Sequence, residues 1–93
     1  MKIIILVPIY NDWQSASKLL EEINSNISSL ECQFSVIIVN DASSEQQSIS
    51  SLNTENLQSI KIINMKENRG HARCIATGLK HIFEKEEFDY VIP

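Results

Sequence analysis

The chain has few of the residues that build covalent or metal-held scaffolds, and no long apolar segment. Its two cysteines, Cys32 and Cys74, form no C-x-x-C pair and have no histidine at zinc spacing. We therefore expect two reduced thiols. Polar residues follow the first apolar run, at positions 3–7, and no small-residue cleavage site comes after them, so we expect no signal peptide. No segment approaches the ~20 apolar residues of a membrane-spanning helix, and we expect a cytoplasmic protein.

Glycine and positive charge are also scarce. With its two glycines at positions 70 and 78, the chain has neither the G-x-G-x-x-G motif of dinucleotide-binding folds nor the G-x-x-x-x-G-K-[ST] motif of P-loop proteins. Twelve acidic and eight basic side chains give a net charge of −4. Proteins that bind nucleic acid or an anionic membrane need a clustered basic face, so we expect neither partner.

What the chain does contain is an alternation of strand and helix patterns. Aliphatic and β-branched runs predict four strands, at residues 3–7, 34–39, 60–64 and 88–92. Apolar residues at steps of three and four predict helices over 13–29 and 72–83, and a short helix is predicted over 45–52. Strands that alternate with helices are typical of right-handed βαβ units around a parallel sheet. The length of 93 residues suits one such α/β domain.

Polar residues follow the first predicted strand, where a parallel sheet places its binding residues. Pro8 is expected to end that strand and to turn Tyr10 into the crevice at the edge of the sheet, where an aromatic ring can stack on a flat base. Asn11 or Asp12 is the expected N-cap of the first helix. A purely structural alternative packs Tyr10 on the surface and leaves Asp12 only the capping role.

A second polar cluster, from Asn40 to Ser44, follows the second strand. A carboxylate at the tip of a strand can accept a charge-assisted hydrogen bond from the imide N–H of a pyrimidine, which makes Asp41 a candidate binding residue. Ser43 and Ser44 are sufficiently explained as caps of the short helix that would follow.

The third cluster, residues 68–73 (NRGHAR), spans a loop and the start of the second long helix. Gly70 allows a positive φ or a close approach of the backbone. Arg69 and Arg73 are the only arginines, and one helical turn could bring both guanidinium groups to an anion at the helix N-terminus. The alternative is a solvated loop in which Arg73 pairs with a surface glutamate. We interpret His71 as a helix-start residue, because no serine–histidine–acid or cysteine–histidine arrangement has assignable roles.

In this order and spacing, three segments resemble the N-terminal half of the family 2 glycosyltransferases, enzymes of the GT-A fold that use nucleotide sugars. The segments are residues 3–12 (IIILVPIYND), 36–44 (VIIVNDASS) and 68–79 (NRGHARCIATGL). The resemblance implies a Rossmann-like parallel sheet of order 3-2-1-4 with flanking helices. The third segment is most similar to the branch that transfers sugars to polyprenyl phosphates.

The resemblance also implies partners and roles. A UDP- or GDP-sugar is the implied donor, a lipid phosphate is a candidate acceptor, and the sugar would be transferred with inversion. Seven residues would line the nucleotide-sugar site: Pro8, Tyr10, Asp12, Val39, Asp41, Arg69 and Arg73. Val39 and Asp41 would hold the base, and one of the two arginines would lie near the base or the diphosphate. Arg73 matches the helix-start arginine of the lipid-phosphate branch better than Arg69 does.

The chain departs from the family pattern in three places. The second strand usually ends in two acidic residues, but Asn40 replaces the first of them. Cys74 is an unusual neighbour of the arginine, and we interpret it as a packing residue. The fourth strand should lead into an Asp-x-Asp-type motif that holds Mg²⁺ or Mn²⁺ against the sugar diphosphate, and residues 89–92 match only the strand before that motif. We therefore expect residues 1–93 to be one partial domain, without catalytic residues or metal ligands and inactive alone, of an enzyme that associates with the cytoplasmic membrane.

Two alternatives from other functional classes stay open at this point. A receiver-like signalling module would need clustered acidic residues after the first strand and a lysine after a later one, and Asp12 and Asp41 supply only part of that set. A short α/β protein that binds a nucleotide without catalysis would have the same motifs as the transferase fragment.

Overall fold

The computed structural model describes residues 1–44 and 54–93, which form a parallel four-stranded sheet with one helix on each face. In chain order the elements are β1 (Lys2–Ile9), α1 (Trp13–Ile27), β2 (Gln33–Asn40), β3 (Ser59–Asn64), α2 (His71–Lys85) and β4 (Tyr90–Ile92). The strand order is β3-β2-β1-β4, and all three strand pairs are parallel. The predicted α/β fold and strand order are confirmed. The helix predicted over residues 45–52 lies outside the described residues.

Strand β1 is apolar from Ile3 to Ile9 because its two faces contribute to two separate cores. Ile4 and Leu6 point to the side of α2, whereas Ile3, Ile5 and Ile9 pack on the side of α1. Successive side chains of a strand point to opposite faces, so a strand covered by helices on both sides needs apolar residues at every position.

The α1 core is built from the residues that repeat at helical spacing in the sequence. Trp13, Ala16, Leu20 and Ile27 are buried in one cluster with residues of β1 and β2. Helix α1 begins after Asp12, whose carboxylate accepts a hydrogen bond from the Ser15 N–H at 3.2 Å. Asp12 is therefore the N-cap, one of the two residues predicted for that position.

The prediction that Pro8 ends the first strand is wrong, because β1 continues to Ile9 and pairs with β2 throughout. The carbonyl of Ile9 accepts a hydrogen bond from the Asp41 N–H, which shows that Ile9 faces β2. The backbone of Pro8 therefore faces the other edge of β1, where β4 pairs only with residues 3–5. A proline nitrogen that faces an unpaired edge costs the sheet no hydrogen bond.

Strand β4 is shorter than the predicted strand at 88–92 and begins at Tyr90. Asp89 already holds the chain against β1, since its N–H donates to the Lys2 carbonyl and its carboxylate accepts from the Lys2 N–H.

Both cysteines are free thiols, as predicted. Among the described helices, none is long and apolar enough to cross a membrane.

Candidate functional site

The loops that follow β1 and β2 meet at the carboxyl edge of the sheet, and Asn11 joins them. The Asn11 N–H donates to Ser43 Oγ at 2.9 Å, and the Ser44 N–H donates to Asn11 Oδ1 at 2.8 Å. Asn11 has a φ of 51°, a left-handed conformation that asparagine adopts more readily than most residues. The predicted capping of residues 45–52 by these serines lies outside the described residues.

The side-chain amide of Asn40, the residue that replaces an acid of the family pattern, stabilises the loop after β2. Its Oδ1 accepts from the Ser43 N–H at 3.0 Å, and its Nδ2 donates to Asn64 Oδ1 at 3.0 Å. One amide thus holds the loop of β2 and the end of β3 together, a pairing that needs both a donor and an acceptor.

Asp41 is the buried charge of the site, with 1% of its surface exposed. Its Oδ1 accepts from the Arg69 N–H at 2.7 Å, and its Oδ2 accepts from the Gly70 N–H at 2.8 Å and from Asn68 Nδ2 at 3.0 Å. The carboxylate therefore holds residues 68–70, the loop that leads into α2. Gly70 adopts a φ of 89°, which confirms the positive φ predicted for it.

The hydrogen bond from the Arg69 N–H is the largest cause that lowers the pKa of Asp41. Burial opposes this effect, while the Gly70 N–H, the Cys74 thiol and the charge of His71 add to it. Burial also raises the pKa of the Cys74 thiol to about 11, with a further contribution from its hydrogen bond to Asp41. Cys74 is wholly buried and packs between α2 and the sheet, so the packing role predicted for it is confirmed, and its burial disfavours the thiolate form.

A groove of about 240 Å³ lies beside the end of β1. Three of the predicted site residues line it, namely Pro8, Tyr10 and Asp12. Tyr10 is 47% exposed, and the groove continues along α1 and reaches the first residue of α2. Its walls are Val7, Pro8, Ile9, Tyr10, Asp12, Ser15, Ala16, Leu19 and His71. The groove therefore combines an apolar wall, an exposed aromatic ring and a few polar groups, the usual composition of a small-molecule site.

The other predicted site residues lie outside the lining of this groove. Val39 is wholly buried under α2, and Asp41 lies behind the loop that it holds. Arg69 forms an ion pair with Glu67 at 3.2 Å in which both side chains are largely exposed. Arg73 is exposed on the first turn of α2 and forms no ion pair with any residue of 1–44 or 54–93.

Several groove residues were not proposed from the sequence, and His71 is the one among them with an ionisable side chain. As the first residue of α2, it is carried to the end of β1 by the loop that Asp41 holds. The one feature of the sequence that pointed to His71 was its place beside Arg69 and Gly70. The rest of the groove is lined by residues about sixty positions earlier in the chain.

The side chains of residues 1–44 and 54–93 offer no group of three or more His, Cys, Asp or Glu that could hold a metal ion. Asp12 and Asp41 also fail to form the exposed acidic cluster of a receiver module, because the Asp41 carboxylate is buried against residues 68–70. The described side chains at this edge of the sheet therefore do not fit a metal ion.

Comparison with known proteins identifies a family. The family model described as glycosyl transferase family 2 matches residues 4–92. No curated protein and no solved structure matched the chain. The family model covers nearly the whole sequence, including the three segments that carry the resemblance apart from residue 3, and it includes the edge of the sheet where the groove lies. The chain therefore belongs to glycosyl transferase family 2.

Proposed function

We propose that this chain is the nucleotide-binding part of an inverting glycosyltransferase and that the groove beside β1 holds the nucleotide of a UDP- or GDP-sugar. The observation that carries the proposal is the meeting of Pro8, Tyr10 and Asp12 in one groove at the carboxyl edge of the sheet. Open parallel sheets bind their ligands at this edge.

The groove residues suit the parts of a nucleotide. The half-exposed ring of Tyr10 can stack on the base, and the apolar wall of Pro8 and Leu19 can cover the sugar-base unit. Asp12 can accept a hydrogen bond from a ribose hydroxyl in addition to capping α1. At about 240 Å³ the groove is smaller than the ~300–1,000 Å³ of typical ligand sites, so the diphosphate and the sugar would extend beyond it.

In our proposal Asp41 and Val39 are buried behind the groove and stabilise its position without lining it. The Asp41 carboxylate holds the loop at residues 68–70 and so fixes the start of α2 against the groove. The contact between Asp41 and the base stays a prediction, and it would require one of the present donors to be exchanged for the base N–H. Arg69 and Arg73, both exposed near the start of α2, would meet the part of the donor that extends from the groove.

The reaction that we propose for the intact enzyme is a displacement at the anomeric carbon of the sugar. An acceptor oxygen, from a hydroxyl group or a lipid phosphate, forms the new bond to the anomeric carbon. The bond between that carbon and the nucleoside diphosphate breaks, and the nucleoside diphosphate leaves. Attack from the face opposite the leaving group inverts the configuration. The resemblance of residues 68–79 to the polyprenyl-phosphate branch supports a lipid phosphate as acceptor, and a cytoplasmic location stays part of the proposal.

Calorimetric titration of the 93-residue chain with UDP and with GDP tests the nucleotide site. We expect Tyr10→Ala to weaken binding by about five- to 150-fold, which corresponds to the ~1–3 kcal/mol of base stacking on an aromatic ring. Tyr90→Ala is the matched control, because Tyr90 is also exposed but pairs with Ile3 near the opposite end of β1.

Two outcomes contradict the proposal in different ways. If the folded chain binds neither UDP nor GDP at millimolar concentration, the groove is no nucleotide site. If Tyr10→Ala and Tyr90→Ala bind with equal affinity, the base does not stack on Tyr10.

A further inference from the structure

A sugar nucleotide brings two negative phosphate charges to an edge of the sheet that already contains two carboxylates. Asp12 lines the groove, and Asp41 lies behind it. Binding of a diphosphate beside these groups requires donors or positive charge close by, since like charges repel.

Some of the backbone N–H groups that could bind an anion here already donate hydrogen bonds within the protein. In many nucleotide-binding folds the N–H groups at a helix N-terminus contact phosphate. In this chain the N–H groups of Arg69 and Gly70 donate instead to Asp41, at 2.7 and 2.8 Å. These two amides, which precede the first helical residue, are therefore not free to bind a phosphate, and a side chain at the start of α2 is a candidate donor in their place.

Among the residues of 1–44 and 54–93, His71 is the one side chain lining the groove that can carry a positive charge. Arg69 is paired with Glu67, and neither Arg69 nor Arg73 lines the groove. The imidazole belongs to the first residue of α2 and lines the same groove as Tyr10 and Asp12, which lie on the β1–α1 connection. An imidazole donates a hydrogen bond to a phosphate oxygen in its neutral form, and its protonated form adds charge.

We propose that His71 contacts the diphosphate of the donor and so determines the preference of this groove for a sugar nucleotide over the corresponding nucleoside. This inference rests on the proposed function of the groove. In this proposal the groove has two walls. Pro8, Tyr10 and Leu19 form the wall that binds the base, and the start of α2 forms the wall that binds the phosphates.

The test compares two ligands that differ by the phosphates, UDP-glucose and uridine, with GDP-mannose and guanosine as the second pair. We expect His71→Ala to weaken UDP-glucose or GDP-mannose binding about tenfold, equal to ~1.4 kcal/mol, and to leave nucleoside binding unchanged. His71→Lys should retain the preference for the sugar nucleotide, because an ammonium group also contacts phosphate. Thermal denaturation of both variants checks that they fold, which we expect because His71 is exposed.

His81→Ala is the matched control, because His81 lies on the same helix but contacts Glu86 at its other end. The inference is overturned if His71→Ala changes sugar-nucleotide and nucleoside affinity by the same factor, or changes neither, while Tyr10→Ala still weakens both. In that case the nucleotide site stands without the phosphate contact. If the wild-type chain binds none of the four ligands, the proposed function and this inference are both wrong.

Discussion

Ala42, in the loop after β2, has a φ of 56°, a left-handed conformation that is unfavourable for a residue with a Cβ atom. This conformation costs an alanine roughly 1–2 kcal/mol, whereas glycine adopts it freely. The hydrogen bonds of the neighbouring residues Asn40, Asp41 and Ser43 impose the conformation. Strain is thus stored beside the candidate site, as is common at binding loops.

We expect Ala42→Gly to raise the free energy of unfolding by up to ~1 kcal/mol, because the relief of strain exceeds the added entropy of the unfolded chain. Urea denaturation followed by circular dichroism measures the change. Ala76→Gly is the control, since Ala76 is exposed within α2 and its replacement should lower the stability by about 0.5–1 kcal/mol. Equal destabilisation by both substitutions would show that the loop does not strain Ala42.

Asp41 illustrates what the sequence could and could not predict about a single residue. Its place after a buried strand predicted a contact with the base, which stays a prediction, and the structure gives the carboxylate three donors from residues 68–70. These partners lie almost thirty positions later in the chain, and no local pattern identifies them. For the same reason His71 was assigned only a role at the start of a helix.

Among the secondary-structure elements, α2 is the one whose position depends on a single small residue. Gly78 is buried against the sheet, and a Cβ atom built there would overlap the side chain of Leu6 and lie 3.1 Å from Val39 Cγ2. Leu6 and Val39 are themselves wholly or almost wholly buried. The absence of a side chain at position 78 therefore lets α2 approach β1 and β2 closely, which also brings His71 to the groove.

We expect Gly78→Ala to lower the free energy of unfolding by about 1–3 kcal/mol, the usual cost of inserting a methyl group into a packed core. The higher helix propensity of alanine offsets part of this cost. Combining the substitution with Leu6→Val should give a smaller loss than the sum of the two single changes, because the shorter side chain makes room for the methyl group. Strict additivity in urea denaturation would contradict the close contact.

The sequence predicted the presence of the strands and long helices more accurately than it predicted where they end, for physical reasons. Pro8 was expected to end β1, but within residues 1–44 and 54–93 no strand pairs with the side of β1 that its nitrogen faces, so its missing N–H costs no hydrogen bond there. The two long helices are close to their predicted ranges because each places a continuous apolar face on the sheet.

At the scale of the whole molecule, ionised carboxylates stabilise both edges of the sheet. Asp41 holds the loop before α2 at the carboxyl edge. At the opposite edge, Glu86 accepts hydrogen bonds from Lys61 at 2.7 and 2.9 Å and contacts His81 at 3.1 Å. The contact with Lys61 is the largest cause that lowers the pKa of Glu86.

We expect the chain to lose stability as the pH falls below about 4, where carboxylates protonate in the unfolded chain. A carboxyl group whose pKa is lower in the folded state contributes stability above its unfolded pKa and loses it as the pH falls through the folded pKa. Both Asp41 and Glu86 follow this sign. Thermal unfolding between pH 7 and pH 2.5 measures the loss.

Asp41→Asn should lower the melting temperature at pH 7 and flatten its dependence on pH in the acid range. Glu86→Gln should have the same kind of effect but a smaller one, because Glu86 lies nearer to solvent. An acid profile of Asp41→Asn that is parallel to that of the wild type would show that the buried carboxylate does not stabilise the fold by its charge.

The sequence by itself determined the α/β class, the strand order implied by its family motifs, and the chain positions of the polar clusters. The class and the positions of the clusters follow from apolar periodicity and from the rule that parallel sheets place polar loops at their carboxyl edge, whereas the strand order came from the resemblance to the family. Only the tertiary structure decided which side chains meet there: that Tyr10, Asp12 and His71 share a groove, and that Asp41 holds the loop before α2. Such contacts join residues far apart in the chain, so they depend on the packing of both helices on the sheet rather than on any local pattern.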